Sequence, residues 1–320
     1  MVFNGVPAGH PDEDALNIAL ALLNNNSQTG TMDKLVLDGE LTSAGATPVL
    51  PRTRTRHRSG HSPLRRKPAP FRSTKSAEKK ALKAIQQIAN GEFEDWKIDA
   101  IKAEKCRQFD LEMESNEDKA MILMNAFYNE QDLGDILNYK DKIMAITTDD
   151  IKRVAKKYLS DNYLALYIEK GKPDKNAKIE KPGYKPVEPP VGKESLYATQ
   201  FKNLPIGQME EKFADYGEVQ IKQLNDRSKM YYTPNKENNV FQLVVQYGAG
   251  EREFPKLGYA AQLMNNAGIM GAYEPQELKE ELSKLNATCH VTADDDNLYI
   301  IMEATKPPCR KPASYFHARF

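Results

Sequence analysis

Apolar positions recur at helical spacing in several stretches of this chain, and those stretches set its predicted layout. Val2 to Val6 reads as the tail of a strand. His10-Pro11-Asp12-Glu13-Asp14 then opens a helix, with Pro in the first turn and acids at the positive helix end. Ala15, Leu16, Ala19, Leu20, Leu22 and Leu23 are its apolar positions. Asn24 to Ser27 ends it, Gly30 turns the chain, and Met32 to Leu41 starts another helix. Ala77, Ala81, Ala84, Ile85 and Ile88 form one face of a helix that Gly91 stops. A longer helix follows from Glu92 through Ile98, Ile101, Cys106 and Phe109. Glu117 to Tyr128 is a further helix, with Met121, Met124 and Phe127 read as core. Thr148-Asp149-Asp150 is a cap signal ahead of the stripe Ile151, Val154, Ala155, Tyr158 and Leu159, and Tyr163 to Ile168 reads as a strand.

The C-terminal part repeats this mixture. Val219 to Leu224 and Met230 to Tyr232 read as a strand pair. Val240 to Tyr247 is an apolar run rich in β-branched and aromatic residues, the signature of a buried strand. Gly248-Ala249-Gly250 breaks it, and Leu257, Ala260, Ala261, Met264 and Ala267 then recur at helical spacing. Pro275 marks the next helix start, with Leu278, Leu282 and Leu285 as the buried face. Thr288 to Ala293 and Leu298 to Glu303 are strands around Asp294-Asp295-Asp296-Asn297. The predicted fold class is α/β (α+β), with antiparallel or mixed sheet and packed helices.

Three segments break the pattern. Residues 47–74 hold no acid, many Arg, scattered Pro and no periodicity. Clustered cations repel and Pro removes ladder donors, so this composition predicts disorder rather than strands. It is either a basic arm for nucleic acid or an anionic surface, or the product of a slipped coding frame. The second is favoured, because domain-like sequence resumes directly after it. Residues 171–205, where Pro alternates with Lys and Glu, read as a semi-rigid linker. From Lys306 the chain is again basic, Pro-bearing and aperiodic, an aberrant tail over 305–320.

Composition adds mostly exclusions. Lys plus Arg and Asp plus Glu both number 45, so net charge is zero and a generally basic nucleic-acid binder is not indicated. No apolar run of about 18 residues predicts a membrane span. No basic segment leading into an apolar one marks a signal peptide at the first residues. Cys106, Cys289 and Cys309 have no C-x-x-C spacing and predict neither a disulfide framework nor a cysteine metal site. His10 with Asp12 and Asp14 could hold a metal, but helix-start chemistry explains them better. The three consecutive Asp could suggest Ca²⁺, but Asp and Asn favour turns and the spacing is not an EF-hand. Trp96 is read as a packing anchor, and His290 as structural.

The order strand, small-residue turn, helix over residues 240–267 resembles the start of a domain in the M16 (pitrilysin/insulinase-like) zinc metallopeptidases, of bacterial type. In that family the helix carries H-x-x-E-H, in which two His bind Zn²⁺ and the Glu is the general base. On this pattern the first His falls on Ala261, the Glu on Met264 and the second His on Asn265. No catalytic or metal-binding residue is therefore assigned, and the motif is degenerate. Further upstream, Asp12 to Leu16, Leu37 to Leu41, the Gly91-Glu92-Phe93 turn and the close at Tyr163 to Ile168 resemble an M16 second domain.

The resemblance implies three pieces: a non-catalytic M16/LuxS-like second domain over 1–170, the linker over 171–205, and the start of a third domain over 206–304. It implies a fragment that helps enclose peptide, is inactive alone, and binds no cofactor, the zinc of the parent belonging to a missing first domain. The implied partners are the remaining domains of the parent or a catalytic M16 partner, with peptide as substrate. A non-catalytic subunit of a hetero-oligomeric peptidase and a nucleic-acid binder using residues 52–72 are the competing readings. A periplasmic or secreted parent is implied, with a cytoplasmic one left open.

Overall fold

A computed structural model of the chain describes residues 1–49, 58–61, 74–168, 191–205 and 216–305, with 183, 185, 186, 188, 207 and 213. The chain divides into two compact units, Met1–Ile168 with Asn235–Phe320, and Glu169–Pro234.

The first unit opens with β1 (Val2–Asn4), α1 (Glu13–Leu23), α2 (Thr31–Leu37), β2 (Ala46–Val49) and β3 (Arg58–His61). It continues through α3 (Thr74–Asn90), α4 (Asp95–Glu112), α5 (Asn116–Asn129), α6 (Leu133–Leu137), α7 (Tyr139–Ala145), α8 (Thr148–Tyr158) and β4 (Tyr163–Leu164). The strands form one antiparallel sheet in the order β2-β3-β1-β4. Helix α1 is buried on nearly every side, since Ala15, Leu16, Ile18, Ala19, Leu20, Leu22 and Leu23 are all apolar. Helices α3, α4, α7 and α8 pack around it, and Ile88, Ile143, Ile151 and Val154 complete the core. Each such side chain contributes about 1.5–3 kcal/mol on full burial.

Polar contacts fix the helix ends. Thr147, one residue before the predicted signal, caps α8: its hydroxyl accepts from the Asp150 amide at 3.2 Å, and Asp150 returns to the Thr147 amide at 3.1 Å. Asp12 precedes α1 and is nearly buried. Its carboxylate accepts from the Tyr158 hydroxyl at 2.6 Å, Arg153 Nη1 at 2.7 Å and Lys157 Nζ at 3.2 Å, so it ties α1 to α8.

The strand-free reading of residues 47–74 fails where the chain is described. Ala46–Val49 and Arg58–His61 pair antiparallel, with Pro48 opposite Ser59. Main-chain pairing tolerates this composition because β2 lies at the sheet edge, where Pro is accepted, and residues 58–61 contain no Pro. Residues 50–57 and 62–73 lie outside the described residues, as does 306–320.

Helix α5 also departs from expectation. Met121, Met124 and Phe127 lie at its surface, Phe127 with 84% of its area exposed, and only Ala126 is buried. A 3.6-residue period shows that apolar positions share a helix, and says nothing of whether a neighbouring element covers them.

The second unit holds α9 (Leu196–Lys202) and an antiparallel hairpin of β5 (Gln220–Asn225) and β6 (Ser228–Tyr232). Helix α9 falls inside the span read as extended linker. Ser195 caps it, accepting from the Ala198 amide at 3.1 Å, and no Pro interrupts 191–204.

The chain then returns to the first unit with β7 (Val240–Tyr247), α10 (Leu257–Met264), α11 (Pro275–Lys284), β8 (Ala287–Ala293) and β9 (Leu298–Thr305). These strands form a second antiparallel sheet in the order β7-β9-β8, with α10 and α11 against β8. Strand β7 is an edge strand in which only Val240 is buried, which corrects its reading as a buried strand. Leu278 and Leu282 are partly buried, whereas Leu285 lies past the helix end and is exposed. The architecture is mixed α and β, with separate antiparallel sheets and helices packed on them.

This second sheet docks on α4. Arg107, itself buried, reaches Glu303 of β9 at 2.8 Å. Asn286 donates to the Ala103 carbonyl at 3.3 Å, and Asn238 donates to Glu114 at 2.7 Å. Lys284 of α11 stands 4.9 Å from the centre of the Trp96 ring.

Candidate functional site

The helix-start region after β7 is where the resemblance would place a metal. Strand β7 ends at Tyr247, and the chain turns through Gly248 to Glu253 across the β8–β9 connection. The Glu251 amide donates to the Asp294 carbonyl at 2.9 Å, and the Arg252 amide donates to Asp295 at 3.0 Å. Gly250 is required here, because a Cβ would lie 2.3 Å from the Asp295 carbonyl oxygen. The three Asp residues serve this turn. Asp294 accepts from the amides of Asp296 at 2.8 Å and Asn297 at 2.6 Å, and those amides hold its carboxyl below the usual range. Arg252 pairs with Asp296 at 2.9 Å and Asp295 at 3.3 Å.

Helix α10 follows, and Ala261, Met264 and the helix-ending Asn265 lie at i, i+3 and i+4, one face of the helix. Ala261 is 2% exposed and packs its methyl inward. Met264 is half exposed and carries no charge. Asn265 is fully engaged with β8: its Nδ2 donates to the Val291 carbonyl at 2.8 Å, and its Oδ1 accepts from the Val291 amide at 2.7 Å. This double bond pattern makes the side chain act as one more piece of strand main chain beside β8. It also fixes the amide orientation, since each atom has only one compatible partner.

The three positions do not fit a zinc ion. A methyl offers no lone pair, a thioether suits softer metals, and both ends of the amide are occupied. No general base stands at the Met264 position either. Among the described residues, no group of three or more His, Cys, Asp or Glu comes together as a metal site.

The other singled-out residues have local partners. His10 accepts from the Asp12 amide at 3.0 Å through Nδ1, a contact at the start of α1. His290 lies in β8 opposite Ile301. Trp96 is partly buried and donates to Glu94 at 3.1 Å. Cys106 and Cys289 are free thiols, each with its pKa raised by burial. Cys309 lies outside the described residues. An open depression of about 390 Å³ lies along α11, between Tyr273, Glu277, Glu280, Glu281 and Lys284. Lys284 is already paired there with Glu281 at 2.7 Å.

Sequence reasoning placed the helix after the strand and missed what Asn265 does. Its partner Val291 lies in another element, and no local spacing joins the two. The Arg107–Glu303 pair escapes sequence reading for the same reason.

No family model and no curated protein matches the sequence. Among solved structures, the chain is similar to a protease from Helicobacter pylori, at 18% identity and a TM-score of 0.43, over 50% of this chain and 38% of that one. It is similar to the inactive peptidase domain of a candidate zinc protease from Bordetella parapertussis, at 14% identity and a TM-score of 0.43, over 50% of this chain and 84% of that one. Its similarity to the periplasmic protease PqqL from Escherichia coli has 12% identity and a TM-score of 0.34, over 95% of this chain and 36% of that one. The chain thus spans well under half the length of the Helicobacter pylori protease.

Proposed function

We propose that this chain is a non-catalytic part of an M16-type zinc metallopeptidase, formed from most of a second domain and the opening of a third. It contributes wall to a peptide-enclosing chamber and is inactive alone. The order of sequence patterns supports this reading, from the helix over 12–23 to the strand, turn and helix over 240–264. The observation that carries it is Asn265. At the place the resemblance gives to a zinc-binding His, the side chain is committed to the backbone of Val291. Ala261 and Met264 supply neither a ligand nor a base. The partners are the remaining domains of the parent or a catalytic M16 subunit, and the exposed apolar surface of α5 is the kind of surface such a partner covers.

The test is a peptidase assay on the purified full chain with fluorogenic peptide mixtures, with and without chelator and with added Zn²⁺. The expected result is background turnover in every condition and no stoichiometric zinc after dialysis. Cleavage that a chelator removes and zinc restores overturns the proposal.

A further inference from the structure

The outer side of β7 is built for pairing and has no strand on it among the described residues. Its polarity can be read from two side chains. The Val240 amide donates to Asn238 Oδ1 at 2.7 Å, and the Val240 carbonyl accepts from Asn235 Nδ2 at 2.9 Å. Both main-chain groups of Val240 therefore face away from β9. In an antiparallel ladder the facing alternates along the strand, so the main-chain groups of Gln242, Val244 and Gln246 face outward as well.

Protein edges of this length are normally blunted by a charge, a Pro or a bulge. The run Val-Phe-Gln-Leu-Val-Val-Gln-Tyr has none of these, and its register with β9 is unbroken from Val240 to Tyr247. Past the buried Val240 and the partly buried Phe241, both faces of the strand are exposed. Leu243, Val245 and Tyr247 are exposed on one side, and Val244 is 46% exposed on the other.

We propose that two copies of this chain join through this edge, antiparallel, about a two-fold axis at Val244. The outward set Gln242, Val244 and Gln246 fixes the register. Val244 faces its own counterpart, and Gln242 faces Gln246 of the other copy, which are the hydrogen-bonded pairs. On the opposite face Leu243 meets Val245. The strand is thus complementary to itself: Val244 with Val244, aliphatic with aliphatic, amide with amide, and no charge anywhere along the contact. A second copy brings an identical exposed run, so one contact shelters both. A closed two-fold contact uses up both edges and leaves no open end for growth. A generic extended peptide matches the main chain alone, which is why a second copy is the favoured occupant.

Sedimentation of the full chain over a concentration series is the first measurement, and the expected result is a reversible monomer–dimer equilibrium. A monomer at every concentration overturns the proposal, and so does growth past the dimer. Val244→Lys and Val244→Glu each place like charges face to face on the axis. Each is expected to weaken self-association roughly tenfold or more. An equimolar mixture of the two restores the dimer, because Lys then faces Glu. Unchanged dimerisation in either variant, or two folded monomeric variants that fail to recombine, overturns the register. Hydrogen exchange on the unmodified chain gives a readout that needs no variant. The outward amides of Gln242, Val244 and Gln246 gain protection as concentration rises. Protection independent of concentration, or protection appearing only on adding an unrelated extended apolar peptide, assigns the edge elsewhere and overturns the proposal.

Discussion

The two sheets of the first unit differ in how they are covered: short strands around a buried helix in one, long strands with an exposed edge in the other. The sheet β2-β3-β1-β4 shares a core with α1, whose seven buried apolar residues are covered from α3, α4, α7 and α8. The sheet β7-β9-β8 has α10 and α11 against β8 and α4 reaching β7 and β9, and its edge strand still shows apolar residues on both faces. The difference lies in the number of elements available to cover each strand, since the composition of β7 is as apolar as that of any core strand. Burial is a property of neighbours, and a strand with core-like sequence and no cover becomes a contact surface.

The largest expected effect comes from the covered side. Ile18→Ala, at a residue with no exposed area, should lower unfolding free energy by about 2–5 kcal/mol in urea titration. Leu243→Ala on β7, read at concentrations where the chain is monomeric, should change it by less than about 0.5 kcal/mol. Equal losses at the two sites would erase the contrast between the sheets.

The contact joining the two regions comes next. Arg107→Ala removes the buried partner of Glu303 and should cost about 2 kcal/mol, below the figure for a fully buried pair because Glu303 keeps some solvent contact. Hydrogen exchange should quicken in β9 while α1 stays protected. Equal loosening of both would show that the two sheets unfold as one body.

Asp12→Asn should cost a similar or smaller amount, about 1.5–2 kcal/mol, by weakening the link from α1 to α8. Its pH dependence has a definite sign. The Tyr158 hydroxyl, with Arg153 and Lys157, holds the folded carboxyl well below its ordinary value. The unfolded chain therefore binds the proton first. The stabilisation is complete above the unfolded pKa of about 3.9 and drains away as pH falls below it. Wild type should lose stability relative to Asp12→Asn between about pH 5 and pH 2, and parallel curves would refute the ion-pair account.

Asn265→Ala should cost somewhat less than Arg107→Ala or Asp12→Asn, about 1–2 kcal/mol, because the Val291 amide and carbonyl lose their side-chain partner. Asn265→His should not recover this loss. Full stability with tight zinc uptake in Asn265→His would mean that the position is still poised for a metal.

Local chemistry was the legible part of the sequence. The apolar face of α1, the stripe of α8 and the glycine-rich stop after β7 are set by residues within a few positions of one another. The cap of α8 is Thr147, one residue before the Thr148 of the sequence signal, and its hydroxyl accepts from the Asp150 amide. What depended on distant neighbours was not legible. Met121, Met124 and Phe127 look like core residues, and only the absence of a covering element among the described residues makes them surface. The same holds for β7. Strands β2 and β3 were missed for the converse reason, since main-chain pairing asks little of side chains at an edge. At the candidate site the spacing of Ala261, Met264 and Asn265 was visible from the start, whereas the commitment of Asn265 to β8 needed the fold.

One tryptophan in 320 residues, placed under the ammonium group of Lys284, gives the chain a gauge of its own. Helix α11 packs against β8 and the indole belongs to α4, so separation of the two takes the Lys284 ammonium away and leaves the ring with Lys97 of its own helix, 5.6 Å from its centre. Indole emission then reports that separation without any added label, at a wavelength where the 15 tyrosines stay silent.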